Sequence, residues 1–188
     1  MNLYQQWYQV VPQSVINSAK NIKLLICDIE GVFSDGSIYL GNDGEELKTF
    51  NTKDGFGIKA LMKNGVEVAI ITGRTSNIVK NRMANLGITN IYQGMEDKMQ
   101  GYRQLLTDFN LTAQQVAYIG DDFPDIPVMR EVGVAVAPLD AHPFVKQNSH
   151  LVTTLKGGKG AVRELCDLLV MTQCGEDAIT EQLIGTSA

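Results

Sequence analysis

The chain has 188 residues, 44% of them apolar and 20% charged, which predicts one domain around a single core. The net charge of −5 and the absence of a Lys/Arg cluster argue against a nucleic-acid surface or an anionic membrane as partner. No apolar run approaches the roughly 18–20 residues of a membrane helix, and the opening MNLYQQWYQVVPQSV lacks the basic-then-apolar pattern of a secretion signal. Three scattered cysteines, Cys27, Cys166 and Cys174, form neither a metal motif nor a disulfide framework, and predict inert thiols in a reducing cytoplasm.

In chain order, the first element is a strand over 22–28, IKLLICD, which runs into Asp28 and, one residue on, Glu30. Asp35-Gly36 fits a turn. Residues 36–50 carry two strand-like arms around Gly41-Asn42-Asp43-Gly44, a hairpin signal, with apolar positions at Ile38, Leu40, Leu47 and Phe50. A helix over 54–64 follows and ends at Asn64-Gly65. A strand over 67–73 leads to Thr72-Gly73-Arg74, and a helix over 76–86 stops at Gly87, a C-cap. A strand over 90–94 precedes a helix over 97–109, which Lys98 opens. A strand over 116–122 ends in Gly120-Asp121-Asp122, with Asp125 three residues later. A helix over 125–131, strands over 132–138 and 151–154, and a helix over 159–173 complete the set. The tail, 175–188, reads as loosely ordered. Strands alternating with helices through short loops predict an α/β fold, a doubly wound parallel sheet, spanning 1–188 as one domain. The hairpin should project above the carboxyl edge of that sheet.

Ligands of open parallel sheets bind at the carboxyl ends of the strands. There the sequence places paired acids, a hydroxyl and an ammonium. Converging carboxylates repel each other, and burying them unpartnered is costly. A hard dication relieves that cost, and Mg²⁺ takes oxygen ligands together with a substrate phosphate. Asp28 and Asp121 can supply the carboxylates, and the backbone carbonyl of Glu30 a third oxygen. An ionised carboxylate beside Mg²⁺ and Lys98 can attack phosphorus. Thr72 and Lys98 can then stabilise the transferring phosphoryl group.

The order Asp-x-acid-Gly-Val, Thr-Gly-Arg, Lys, Gly-Asp-Asp-x-x-Asp resembles the haloacid dehalogenase superfamily. The wider run resembles its 3-deoxy-D-manno-octulosonate 8-phosphate (Kdo 8-phosphate) phosphatase family. It is carried by EGVFSDGSIYLGNDGEELKTFNTKDGFGI, VAIITGR, LGITNIYQG, VAYIGDDFPDIPVM, DAHP and GGKGAVRELCDLL, over about 20–173. The resemblance implies a Rossmann-like fold with a small hairpin in place of a cap domain. It implies Asp28 as nucleophile and metal ligand, Glu30 as acid/base with its carbonyl on the metal, Thr72 and Lys98 on the phosphoryl group, and Asp121 as the other carboxylate on Mg²⁺. Asp122 or Asp125 would order Lys98 and metal-bound waters. Substrate would be held by residues 51–55, including Asn51, Lys53, Asp54 and Gly55, and by Lys59, Gly73, Arg74 and Arg82. The hairpins of neighbouring subunits would assemble a cytoplasmic homotetramer serving lipopolysaccharide biosynthesis.

Two positions depart from the family pattern. Glu30 stands where the second acid is normally Asp, and a carboxyl one methylene further out predicts slower turnover unless the backbone accommodates it. Lys53 and Lys59 stand where the family often has Arg, losing the bidentate fork. Two other functions therefore stay open: a phosphatase of another sugar acid, such as a nonulosonate 9-phosphate, and a weakly active binding or scaffold tetramer. Several residues carry plainer readings. Asp54 fits a cap for the following helix as well as a substrate contact. Arg74 and Arg82, eight apart, can share a helix face. His142, before Pro143, and Trp7 read as structural.

Overall fold

Six short runs of aliphatic and aromatic residues pair into one parallel sheet. The computed structural model describes the backbone of residues 2–184 and the side chains of residues 2–180. In chain order the elements are α1 (Leu3–Trp7), α2 (Gln13–Ala19), β1 (Leu24–Cys27), β2 (Tyr39–Leu40), β3 (Glu46–Leu47), α3 (Thr52–Lys63), β4 (Glu67–Ile71), α4 (Asn77–Leu86) and β5 (Asn90–Tyr92). They continue with α5 (Lys98–Asp108), β6 (Val116–Ile119), α6 (Ile126–Met129), β7 (Val134–Ala137), α7 (Pro143–Gln147), β8 (Leu151–Val152), α8 (Ala161–Cys174) and α9 (Asp177–Ile184).

The strand order is β5-β4-β1-β6-β7-β8, every pair parallel. The chain winds outward from β1 to β5, then returns to the other side of β1 through β6. The switch in direction therefore falls at β1, where such sheets bind ligands. In register, Cys27 lies opposite Ile70 of β4 and Ile119 of β6, so the three central strands end level. Leu24 and Ile26 point into one core and Leu25 and Cys27 into the other, all without solvent exposure. Helices cover both faces, as the alternation predicted.

The two-stranded sheet of β2 and β3 is antiparallel, with Tyr39 opposite Leu47. It confirms a hairpin within 36–50, with much shorter strands than the sequence pattern suggests. Ile38, Leu40 and Leu47 are exposed, Leu40 to 72%. Phe50 instead packs partly buried against the main core.

Three segments are more helical than their sequence indicates. The N-terminal segment forms α1 and α2, whose Tyr4, Val15 and Ala19 are buried, while Trp7 lies exposed. Pro143–Gln147 forms a short helix entered through His142, whose Nδ1 accepts from Phe144 N at 3.1 Å. The tail, expected to be loose, contains α9, because Ile179 is buried against the core; residues 185–188 lie outside the described residues. Short helices such as these draw their stability from packing rather than from propensity.

Helix α3 lies tightly on α8. A Cβ at Gly57 would come within 2.9 Å of Arg163 Cδ and 3.1 Å of Cys166 Cβ, so the approach depends on that glycine. Helix α8 is anchored at its start by Glu164, which is fully buried and accepts from Thr154 N and Oγ1, Leu155 N, Gln9 Nε2 and Tyr4 OH. One carboxylate thus ties together the N-terminal segment, the end of β8 and the last long helix. Replacing Glu164 with Ala strands those donors away from water. Urea unfolding should show a loss of roughly 3 kcal/mol.

Candidate active site

The carboxyl end of β1 delivers Asp28, 5% exposed, between the ends of β4 and β6. The chain then turns through Gly31 at φ +78°, where a Cβ would collide with the Asp121 carboxylate. Glycine is required there both for the left-handed backbone and for the approach of the two acidic loops. Gly120 plays a similar part at the end of β6, where a Cβ would meet the carboxylate of Asp125.

Lys98, the first residue of α5, reaches in with Nζ 2.8 Å from Asp28 Oδ1 and 2.6 Å from Asp125 Oδ1. Tyr118 OH donates to Asp125 Oδ1 at 2.6 Å, and the N–H groups of Asp121 and Asp122 donate to Oδ2 at 3.0 and 3.2 Å. Asp125 is therefore fully engaged as the residue that orders Lys98. Asp122, the alternative for that task, is exposed and instead accepts from Phe123 N at 2.8 Å, capping the turn that follows.

Asp28, Asp121 and Asp125 each present an oxygen within 4.8 Å of the others. Burial, and then the charge of Asp125, push the Asp28 carboxyl up to about 7 despite Lys98. Burial, followed by Asp28 and Asp125, takes Asp121 to about 8. Burial works against the Lys98 charge, but the two aspartates outweigh it and hold the ammonium above the usual lysine range. One ammonium does not offset three crowded acids. The all-oxygen donor set, the room left by Gly31 and the excess negative charge fit a hard divalent cation between Asp28 and Asp121.

The Glu30 side chain turns away from that cluster. Its Oε1 lies 2.8 Å from Lys48 Nζ, and its Oε2 accepts from Thr72 Oγ1 at 2.8 Å. Burial favours the protonated acid, but the Lys48 and Thr72 bonds prevail and keep Glu30 below the ordinary glutamate range. Lys48 continues to Glu46 Oε1 at 3.4 Å, which lies 3.6 Å from Arg74.

A cleft of about 360 Å³ opens over this arrangement, lined by Asp28, Glu30, Gly73, Arg74, Lys98, Asp121, Asp122 and Asp125, with Thr72 behind Glu30. The structure brings these residues, selected from the sequence, around one cleft. The structure does not bring the expected substrate set on α3 to this cleft. Asn51 caps α3 by accepting from Lys53 N at 2.9 Å, and Lys53 and Lys59 lie on the exposed face of that helix, away from the cleft. Asp54 is fully buried and accepts from Arg163 N at 2.8 Å, so it caps α8 rather than its own helix and does not line the cleft. Gly55 lies under Arg82, whose guanidinium a Cβ would meet at 2.6 Å, which places Arg82 at the α3–α4 contact. Arg74 precedes α4, so the two arginines do not share a helix face. Asp35 makes the expected turn, accepting from Ser37 N at 3.0 Å. Lys48, Glu46 and Tyr118 were missed. Tyr118 sits inside an apolar strand run, and Lys48 in a hairpin expected to project above the carboxyl edge but assigned to assembly; only a charge alternation, Glu46-Leu47-Lys48, marked the latter.

The raised carboxyls give a pH prediction. A folded-state acid whose pKa lies above its unfolded value of about 3.8 binds more protons than the unfolded chain, so stability falls as pH rises between the two values. Without divalent metal, the melting temperature should drop from about pH 5 to about pH 8. Mg²⁺ should restore it most at the higher pH, and Asp121→Asn should flatten the profile, all readable by calorimetry in EDTA and in Mg²⁺.

Comparison with known proteins agrees with this geometry. A family model described as haloacid dehalogenase-like hydrolase matches residues 88–165. The 3-deoxy-D-manno-octulosonate 8-phosphate phosphatase of Yersinia pestis is 53% identical over 166 residues, covering 88% of this chain and 89% of the relative. A crystal structure of that phosphatase from Yersinia pestis superimposes with a TM-score of 0.90 at 51% identity, covering 91% and 92% of the two chains. A structure of the phosphatase from Moraxella catarrhalis, in complex with magnesium ion, phosphate ion and Kdo, gives a TM-score of 0.89 at 38% identity, over 91% and 98%. The chain belongs to the 3-deoxy-D-manno-octulosonate 8-phosphate phosphatase family of haloacid dehalogenase-like hydrolases.

Proposed function

We propose that the protein is a Mg²⁺-dependent phosphoric monoester hydrolase that converts Kdo 8-phosphate to Kdo and phosphate through an aspartyl-phosphate. The observation that carries this reading is the Asp28 carboxylate, held by Lys98 at the level end of the three central strands and facing an open cleft beside Asp121. Asp28, Asp121 and the Glu30 carbonyl would hold Mg²⁺, which neutralises the charge between an anionic nucleophile and an anionic phosphate. The all-oxygen donors and the magnesium in the Moraxella catarrhalis relative support that metal.

An Asp28 oxygen attacks phosphorus in line with the sugar oxygen. The P–O bond to the sugar breaks, and its electron pair goes to that oxygen, which takes the proton that Glu30 gains from solvent as the anionic substrate binds beside it. Glu30, now a carboxylate, removes a proton from the water that attacks the aspartyl-phosphate. The P–O bond to Asp28 then breaks, phosphate leaves, and Asp28 is regenerated. Lys98 and the Thr72 hydroxyl offset charge on the phosphoryl oxygens. Arg74, exposed at the rim, is the cation this chain offers to the sugar's carboxylate. The relatives' substrate and bound Kdo support the eight-carbon sugar acid.

We also assign the hairpin to assembly. A lone two-stranded hairpin is marginal in water, yet this one exposes Ile38, Tyr39, Leu40 and Leu47 together. Packing copies against one another buries that patch and gives a homotetramer. No described helix is long and apolar enough to cross a membrane. The three cysteines are unpaired, which accords with work in the cytoplasm.

Phosphate release from a panel of sugar-acid phosphates, with and without EDTA, tests the reading. Kdo 8-phosphate should be the best substrate, EDTA should abolish release, and Mg²⁺ should restore it. Asp28→Asn should lower turnover by about 10³-fold or more while the fold persists, since removing one charge relieves the cluster. A better nine-carbon substrate would move the assignment to that sugar, and full activity in Asp28→Asn would remove the covalent step. Light scattering should report four chains per particle, and Leu40→Asp with Leu47→Asp should yield smaller species.

A further inference from the structure

We propose that Lys48 is the positioning residue for Glu30, fixing the carboxylate from the hairpin so that Oε2 is the oxygen that exchanges protons with the sugar oxygen and the attacking water. The inference deepens the phosphatase reading above and rests on it.

Two groups hold the Glu30 carboxylate, and they differ in what the reaction asks of them. Thr72 Oγ1 has a single proton, which it gives to Oε2 at 2.8 Å. The same hydroxyl serves the phosphoryl oxygens, so its proton leaves Glu30 when phosphate is bound. Lys48 has no such second duty. Its side chain is 1% exposed, its ammonium sits 2.8 Å from Oε1, and its remaining charge contact is Glu46 at 3.4 Å. With substrate present Lys48 would still anchor Oε1, leaving Oε2, released by Thr72, as the free oxygen of a residue that lines the cleft.

The arrangement also accounts for a Glu at this position. A side chain one methylene longer than Asp has one more torsion to fix, and misplacement of about 1 Å can cost about 10²-fold in rate. A buried ammonium at hydrogen-bond distance removes that freedom. Lys48 follows directly after β3, so its position depends on the pairing of Tyr39 with Leu47 and Leu40 with Glu46. Order in the hairpin is thereby transmitted to the acid/base group. Glu46 and Arg74 complete a row of alternating charge, Glu30–Lys48–Glu46–Arg74, that runs from the acid/base group to the rim of the cleft.

The test separates positioning of a proton donor from support of the fold by changing the leaving group. An alkyl oxygen needs a proton as it departs, whereas p-nitrophenolate leaves without one. The ratio kcat/KM covers only steps through departure of that group. In saturating Mg²⁺, K48M should lose about 10²-fold in kcat/KM on Kdo 8-phosphate but less than about fivefold on p-nitrophenyl phosphate. The loss should lie in kcat rather than KM, and K48R, which keeps the charge, should recover at least about tenfold. Mg²⁺ affinity of K48M by titration calorimetry should match the parent, because the Glu30 carbonyl is untouched. Equal losses on both substrates would make Lys48 structural, and no loss on either would make it irrelevant. Weakened Mg²⁺ binding would place it in the metal site. Each of these overturns the proposal while leaving the phosphatase reading standing. A parent protein that hydrolyses neither compound overturns both.

Discussion

Crowded negative charge at the edge of the sheet is the constraint around which this molecule is arranged. Asp28, Asp121 and Asp125 converge within 4.8 Å, and in a largely buried setting such charges cannot simply coexist. The fold answers in layers. Lys98 lies between Asp28 and Asp125, Tyr118 and two backbone N–H groups complete Asp125, and Gly31 and Gly120 leave the carboxylates room. What remains is an unbalanced pair, Asp28 and Asp121, raised to about 7 and about 8. That unbalanced charge favours a dication between the two carboxylates. A structural ion-pair network would have no reason to leave it.

The level ending of β1, β4 and β6 turns that charge problem into a site. A slip of one residue in any of the three would reverse the face of every side chain in that strand and carry its acid or hydroxyl out of reach. The two apolar cores that lock this register are therefore part of the site's geometry, and Met95, packed against one of them, reaches the cleft wall. The N-terminal segment contributes at greater distance, tied by Glu164 to the end of β8 and the start of α8. The hairpin supplies the other half of the chemistry. It brings Lys48 over Glu30 while leaving its own apolar residues in water, so the element proposed to hold the acid/base group is also the one proposed for assembly.

Much of this was legible along the chain. Apolar runs of four to seven residues separated by glycines and helical stretches suffice for a parallel sheet, because a strand buried on both faces needs continuous hydrophobicity and a crossover needs a helix. All six strands and the four helices of ten residues or more stand where those patterns place them, and Ile126–Met129 fills part of the helix expected over 125–131. The acids, the threonine and the lysine at the strand ends were equally readable, since the carboxyl edge is where a parallel sheet binds ligands. The short helices were not readable. Leu3–Trp7, Pro143–Gln147 and Asp177–Ile184 are too brief to carry a period and form because neighbours bury a residue or two of each.

By itself, then, the sequence determined the sheet, the winding and the identity of the groups at its edge, because those follow from local hydrophobic pattern and from where strands end. Only the tertiary structure decided which charges meet. Asp54 and Lys48 both sit near the proposed substrate segment in sequence, six residues apart. Folding buries one under the first turn of α8 and sets the other on Glu30. It withdraws Arg82 to the α3–α4 contact and leaves Arg74 at the cleft. Such pairings join residues 18 to 109 positions apart, and they turn on distances of an ångström or so between side chains. No local pattern encodes those distances, because they are set by how the hairpin and the helices pack on the sheet.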